Sequence, residues 1–257
     1  MVKKEGVFMM TRFVLAALAL VGPSFAFGAA GQQTPVVVEL FTSEGCSSCP
    51  PADNVLTRLE REQPIAGVEV IAMGEHVDYW NDSGWRDRFS SPLFTARQQD
   101  YGQSMRLESV YTPQMVINGQ MQVLGSDWNA ANNAIRAAAQ GQKAVVALKV
   151  TGWDSLSFVV RELPKGVQTA DMLLAVTESG LETPVSGGEN GGRRLRHSAV
   201  VRSLTRLGKL DSKKDGAYTA DARLNLRPQW NRQSLKLVLF VQDHASRRIL
   251  GAAAVHL

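Results

Sequence analysis

The hydrophobic pattern changes period along the chain, and each change marks an element. Val36 to Phe41 (VVVELF) is a short apolar run of the kind a sheet centre buries, and Thr42 to Gly45 after it is polar and loop-like. Ala52, Val55, Leu56 and Leu59 then recur at helical spacing, predicting a helix to about Glu62 that Pro64 and Gly67 end. Val68 to Met73 is a second buried strand. Ser91-Pro92 reads as N-cap and first helical residue of a segment running to about Gln103, whose apolar face is weak. Gln114 to Ile117 is a third strand, Asn118-Gly119 a hairpin turn, and Met121 to Leu124 the return strand. Asp127 caps a last helix with Trp128, Ala131, Ile135 and Ala138 on one face, stopped by Gly141. The order is βαβαββα. A helical crossover joins the first two strands, so they are expected to be parallel and adjacent.

Beyond residue 143 the period becomes two. Ala144 to Val150, Leu156 to Val160, Met172 to Thr177, Ala199 to Leu204, Tyr218 to Leu226, Leu235 to Gln242 and Ile249 to His256 all read as strands, with no convincing helix between them. Such a series predicts an all-β, sandwich-like body. The expected organisation is a thioredoxin-like α/β domain over 31–142, by its minimal element order, and a β-sandwich-like domain over 143–257.

Residues 1–30 read differently. Lys3, Lys4 and Arg12 precede an apolar run, Phe13 to Val21, too short to span a bilayer, and small residues follow from Ala26 to Ala30. That is the layout of a secretory signal peptide, so a periplasmic or secreted protein with no membrane span after cleavage is expected. Without Lys3, Lys4, Arg12 and Glu5 the net charge of +4 falls to +2. No cluster of basic residues with interleaved aromatics appears, so nucleic acid is not an expected partner. Arg193, Arg194 and Arg196 read as a solvated loop.

The candidate chemistry lies in the only two cysteines, Cys46 and Cys49. An exported protein keeps such a pair oxidised, and a stabilising staple would have closed a longer loop. A two-residue spacer at a helix start gives a thiolate favoured by the helix dipole and a second thiol to resolve a mixed disulfide. Cys46, nearer the loop, is the expected nucleophile and Cys49 the deeper, resolving partner; no cofactor beyond this pair is expected. Pro50 and Pro51 place the regular helix start at Cys49. Thr112-Pro113 precedes the third strand at the edge where the first ends, and is the expected docking edge for a substrate chain. The loop after the second strand carries His76, Asp78, Trp80 and Trp85 to the same edge. His76 is weighed as a thiolate stabiliser against a turn cap, Asp78 alike, and both tryptophans are expected to pack the loop. Glu44 is weighed as an acid/base helper against a solvated turn residue, and the solvated residue is the expectation. Ser186 to Gly192 lacks the lysine and following helix of a phosphate loop. It is a flexible hairpin tip by default and a cover over the cysteines in the sharper reading, with Asn190 and His197 belonging to the same question.

Three functions fit these features. Thiol–disulfide exchange with protein or small-molecule thiols is favoured by Thr112-Pro113. The rivals are a copper(I) carrier using Cys46, Cys49 and His76 or a methionine, and a binding module with a structural disulfide.

FTSEGCSSCPPAD, HVDYW with Gly84-Trp85, SPLFTARQ, VYTPQMVING and GENGGR with His197 together resemble the secreted thioredoxin-like family catalogued as domain of unknown function 1223. The resemblance runs from about Pro35 to the C-terminus. It implies the fold and a redox role for Cys46 and Cys49. The chain departs from the family pattern at Glu75, where an aromatic usually precedes the histidine.

Overall fold

In β1, Thr34–Thr42, even and odd positions bury into opposite layers. Val36, Val38 and Leu40 meet Ala52, Leu56 and Leu59 of helix α1, Pro50–Glu62, and Ala131 and Ile135 of helix α3, Trp128–Ala138. Val37 faces the other way, with Ile71 and Met73 of β2, Val68–His76, and Phe94 of helix α2, Pro92–Ser104. The structure, a computed structural model, describes residues 33–213 and 216–257. The expected signal peptide lies outside them. Among the described residues no helix is long and apolar enough to cross a membrane.

Strands β1 and β2 are parallel neighbours, from Thr34 opposite Val68 to Thr42 opposite His76. Strand β3, Gln114–Ile117, runs antiparallel to β1 with Gln114 opposite Phe41, and β4, Met121–Leu124, returns along it. The helices start where their caps require. Ser91 accepts from the Leu93 N–H, Asp127 from the Ala130 N–H, and Cys49 takes the cap position of α1 ahead of its two prolines.

The strands after α3 are β5 Val145–Val150, β6 Ser155–Arg161, β7 Thr169–Glu178, β8 Leu181–Pro184, β9 Arg194–His197, β10 Val200–Asp211, β11 Ala217–Arg223, β12 Leu235–Asp243 and β13 Ile249–His256. They fall into three sheets. β7, β10, β12 and β13 extend the first sheet to eight strands, in the order β13-β12-β7-β10-β2-β1-β3-β4. β5, β6 and β11 form a second sheet, whose Leu156, Phe158 and Val160 pack with Met172, Leu174, Leu237 and Leu239 of the first. β8 and β9 pair only with each other. The molecule is a mixed α/β fold with one large sheet and few helices. The expected boundary at 142/143 falls between α3 and β5, yet strands from both sides share a sheet. The join is one parallel pair, Val200 opposite Gly74, plus the Gly74 N–H donating to the Ala199 carbonyl at 2.7 Å.

Two contacts tie the distal parts together. Arg97 of α2 donates through Nε to Glu39 Oε1 at 2.6 Å and through Nη1 to Gln242 Oε1 of β12 at 3.2 Å, and Tyr101 donates to Glu39 Oε2 at 2.6 Å. Glu75 packs into this group, 3.4 Å from Arg97 Nε; burial, and then the charge of Glu39, push its carboxyl well above the usual range. An aromatic at position 75 would leave Arg97 one acid fewer. At the β3–β4 turn, Asn118 and Gly119 both have positive φ, 47° and 64°. The Ile249 N–H donates to the Asn118 carbonyl at 2.8 Å, and the Gly119 backbone lies on the Arg247 carbonyl.

Gly119 is therefore held by conformation and by space together. A side-chain carbon there meets the Arg247 carbonyl, which belongs to backbone and has little room to move. Gly119→Ala is expected to lower unfolding free energy by about 2 kcal/mol or more, read from urea denaturation midpoints.

Candidate functional site at the Cys46–Cys49 edge

Parallel pairing brings the ends of β1 and β2 to one edge, so the segments after Thr42 and His76 lie side by side; the Val77 N–H donates to the Thr42 carbonyl at 2.9 Å. From Thr42 the chain turns through Ser43-Glu44-Gly45 into a disulfide between Cys46 and Cys49, with Cα atoms 5.4 Å apart. Gly45 permits this path: a side chain there would begin 3.1 Å from Trp80 Cβ. The Cys46 Sγ lies 3.4 Å from the Ser48 hydroxyl, and the Cys49 carbonyl accepts from the Ala52 and Asp53 N–H groups at the helix start. Both cysteines are fully buried. Exposure therefore does not distinguish them; their neighbours do.

Glu44 corrects the expectation of a solvated residue. It is fully buried, held by Trp85 Nε1 donating to Oε2 at 2.8 Å, while its own N–H donates to Asp87 Oδ2 at 2.9 Å. Glu44 Oε1 stands 3.3 Å from His197 Nε2, at ion-pair distance but without hydrogen-bond alignment. The other ring nitrogen of His197 faces Asp53 Oδ2 at 3.7 Å. His76 Nδ1 meets Asp87 Oδ2 at 2.6 Å, and its ring packs edge-on against His197 with centroids 4.9 Å apart, Phe89 touching both. Two imidazoles and three carboxylates thus sit together behind the disulfide. His197 arrives from β9.

Burial decides how these acids titrate. Asp53 is pushed up to about 7, by burial first, against the pull of His197 and the Thr42 hydroxyl that donates to it at 3.0 Å. Burial also opposes ionisation of Asp87, but the His76 imidazole and the Glu44 and Phe89 N–H groups outweigh it and hold Asp87 below the usual carboxylate range. One acid is thus poised to exchange a proton near neutrality beside another that stays charged. Among the described residues no group of three or more His, Cys, Asp or Glu is arranged to hold a metal ion.

The remaining expected residues divide. Trp80 donates to the Thr112 hydroxyl at 2.8 Å and joins the loop to the segment before β3. The Thr112–Pro113 bond is cis, and Pro113 lies near the first turn of α1, since a carbon added at Gly125 would meet Ala52 at 3.0 Å and Pro113 at 3.2 Å. Asp78 is not brought to the cysteines; it binds the Thr95 hydroxyl and pins the loop to α2. Residues 186–192 are not a free tip. Asn190, fully buried, donates through Nδ2 to the Glu44 and Cys46 carbonyls at 2.9 Å each, and the Ser47 N–H donates to Glu189 Oε2 at 3.0 Å. Arg193 donates to Asn190 Oδ1, while Arg194 and Arg196 pair with Glu182 on the exposed face.

Sequence reasoning missed Asp53, Asp87, Phe89 and Glu189. Asp53 left a usable signal, because it sits three residues before Leu56 on the apolar face of α1, where an acid has no solvent. Asp87 and Phe89 carry no periodicity, being in a loop.

A group whose folded pKa is raised favours the folded state below its unfolded value and loses that contribution as pH rises through the folded value. For Asp53 the window runs from pH 3.8 to about 7. Asp53→Asn keeps an acceptor for Thr42 and removes the titration. Urea midpoints should show the wild type losing about 2–4 kcal/mol across that window relative to the variant. Parallel pH profiles for the two proteins would contradict this assignment.

Comparison with known proteins places this site in a wider group. Among solved structures, the chain is similar to protein AGR_C_4864 from Agrobacterium tumefaciens, with a TM-score of 0.69 and 28% identity, over 87% of this chain and 95% of that one. A domain of the outer membrane lipoprotein Omp28 from Porphyromonas gingivalis matches at a TM-score of 0.27 and 10% identity, over 46% of this chain and 90% of that one, too distant to carry an argument. No curated protein matches the sequence. A family model described as protein of unknown function, DUF1223, matches residues 37–242, which take in the disulfide, the loop of His76 and Trp85, and the tip of Asn190. By that match the chain belongs to the DUF1223 family of proteins of unknown function.

Proposed function

We propose that this protein is an exported thiol–disulfide oxidoreductase acting on protein or small-molecule thiols in an oxidising compartment. The observation that carries the reading is a single short-loop disulfide at a helix start, set against a buried acid–imidazole cluster containing a carboxyl that titrates near neutrality. The sheet order β2-β1-β3-β4, with α1 leaving the cysteine pair, supports a thioredoxin-like reading of the N-terminal half. The two sheets packed through Phe158 and Leu239 support a sandwich-like reading of the rest.

In the oxidising direction, a substrate thiolate attacks Cys46 Sγ, the Cys46–Cys49 bond breaks, and Cys49 leaves as a thiolate that takes up a proton. The substrate's second thiolate attacks its own sulfur in the mixed disulfide, forming the substrate disulfide and releasing Cys46 as a thiolate. Reduction of a substrate runs the same steps backwards. Ser48 gives Cys46 a hydroxyl donor that stabilises the thiolate. Asp53, one helical turn after Cys49, holds the exchangeable proton, with His197 between it and Glu44. His76 acts through Asp87 as a positioning residue. Thr112 and Pro113 line the docking edge, with Trp80 fixing Thr112.

Full burial of both cysteines favours a second reading, a structural disulfide in a binding module. One pair of variants separates the two. Cys46→Ser should abolish exchange with a model disulfide peptide, while Cys49→Ser should accumulate a mixed disulfide visible by intact mass. Trapping in neither variant, with a reduction potential below about −300 mV, would establish the structural reading.

A further inference from the structure

The β8–β9 hairpin consists of a stem and a tip held by different forces. Along the stem Thr183, Val185, Leu195 and His197 are buried, whereas Glu182, Arg194 and Arg196 face solvent. Apolar packing on one face holds it down. The tip, 186–192, closes on itself through the Val185 N–H on the Arg193 carbonyl and the Gly192 N–H on the Val185 carbonyl, at 2.9 and 2.8 Å. Its attachment to the disulfide is polar: the two bonds from Asn190 and the one from Ser47 to Glu189. The glycines let it lie flat on the neighbouring loop. A carbon added at Gly188, where φ is +65°, would begin 3.0 Å from Trp85 Cβ.

These contacts fix the tip to the backbone on both sides of Cys46. Below the disulfide are Glu44, Asp53 and His197; beside it are Trp80 and Trp85; above it are Glu189 and Asn190. Ser47 and Ser48 reach solvent, yet neither sulfur does. Glu189 also occupies the Ser47 N–H, which would otherwise favour a thiolate at Cys46; hydrogen bonds from Ser47 hold the Glu189 carboxyl below the usual range.

We propose that residues 186–192 are a gate, which opens on a fixed stem to admit a thiol to Cys46 and covers the disulfide when closed. The inference deepens the thiol–disulfide reading by giving that site its control of access. Opening exchanges three hydrogen bonds for water and leaves the stem's packing intact. The reduced pair weakens closure, because a thiolate at Cys46 repels the Glu189 carboxylate.

The test uses the full oxidised protein, with dithiothreitol as probe. It reduces the Cys46–Cys49 bond to two thiols and is itself oxidised to its cyclic disulfide, and the reaction is followed by alkylation and intact mass. Asn190→Ala removes the two bonds to the Glu44 and Cys46 carbonyls and should speed reduction about tenfold or more. Gly188→Ala drives the tip off Trp85 without touching Asn190 and should act in the same direction. Hydrogen exchange at Ser47, whose N–H donates to Glu189 of the closed tip, should be slowed in the oxidised wild type and faster after reduction. Unchanged reduction rates in both variants, or a Ser47 amide that exchanges equally fast before and after reduction, would overturn the gate. Dithiothreitol reads access whatever the natural partner. Faster reduction of the variants, with no exchange toward cysteine peptides, would therefore keep the gate and remove the oxidoreductase reading.

Discussion

The parallel register of β1 on β2 is the constraint on which the rest depends. With Thr42 opposite His76, the segments that follow the two strands leave the sheet together. The first carries Glu44 and the cysteines; the second carries Trp80, Trp85 and Asp87. A slip of β1 by one residue would turn Glu39 away from Arg97 and toward α1. Because β1 is buried on both faces, such a slip would also misplace every apolar side chain it contributes. The site's geometry is therefore secured by ordinary core packing, with the polar groups carried along at fixed positions.

The polar groups differ in how they meet the cost of burial. Around Arg97, one cation serves two acids and a phenol, and burial with the Glu39 charge pushes the surplus acid, Glu75, well above the usual range. Behind the disulfide the acids are paired with imidazoles. There the imidazoles of His76 and His197 face Asp87, Glu44 and Asp53, and burial raises Asp53 to about 7, where a single proton changes its charge. The first arrangement suits a fixed structural joint between α2 and β12. The second suits a place where charge changes during a reaction.

What could be read from the sequence followed the range of the forces involved. The helix caps at Ser91 and Asp127, the turn at Asn118-Gly119 and the crossover from β1 to β2 are local, and they stand where the pattern put them. Glu44 was misjudged because the residues burying it, Trp85, Asn190 and His197, are far along the chain and leave no trace near it. The tip at 186–192 was legible as a hairpin turn, but the flanking strands β8 and β9 were not, because they are four residues long and carry arginine and glutamate on the exposed face. The joining of both halves in one sheet rests on a single residue pair, which no periodicity reveals.

That narrow join has a consequence for how the chain can be divided. Loop 139–144 looks like a place to cut, with elements completed on either side. A fragment ending there would lose Val200 opposite Gly74 and leave the Gly74 N–H without its acceptor, the Ala199 carbonyl. It would also lose His197 and Asn190, leaving Glu44 and Asp53 buried without their imidazole and the cysteines without their cover. Residues 33–257 cluster as one compact unit. The half that carries the cysteines is thus dependent on the half that lacks them, and a lineage that shed the β-rich segment would keep the motif while losing the environment that gives it chemistry.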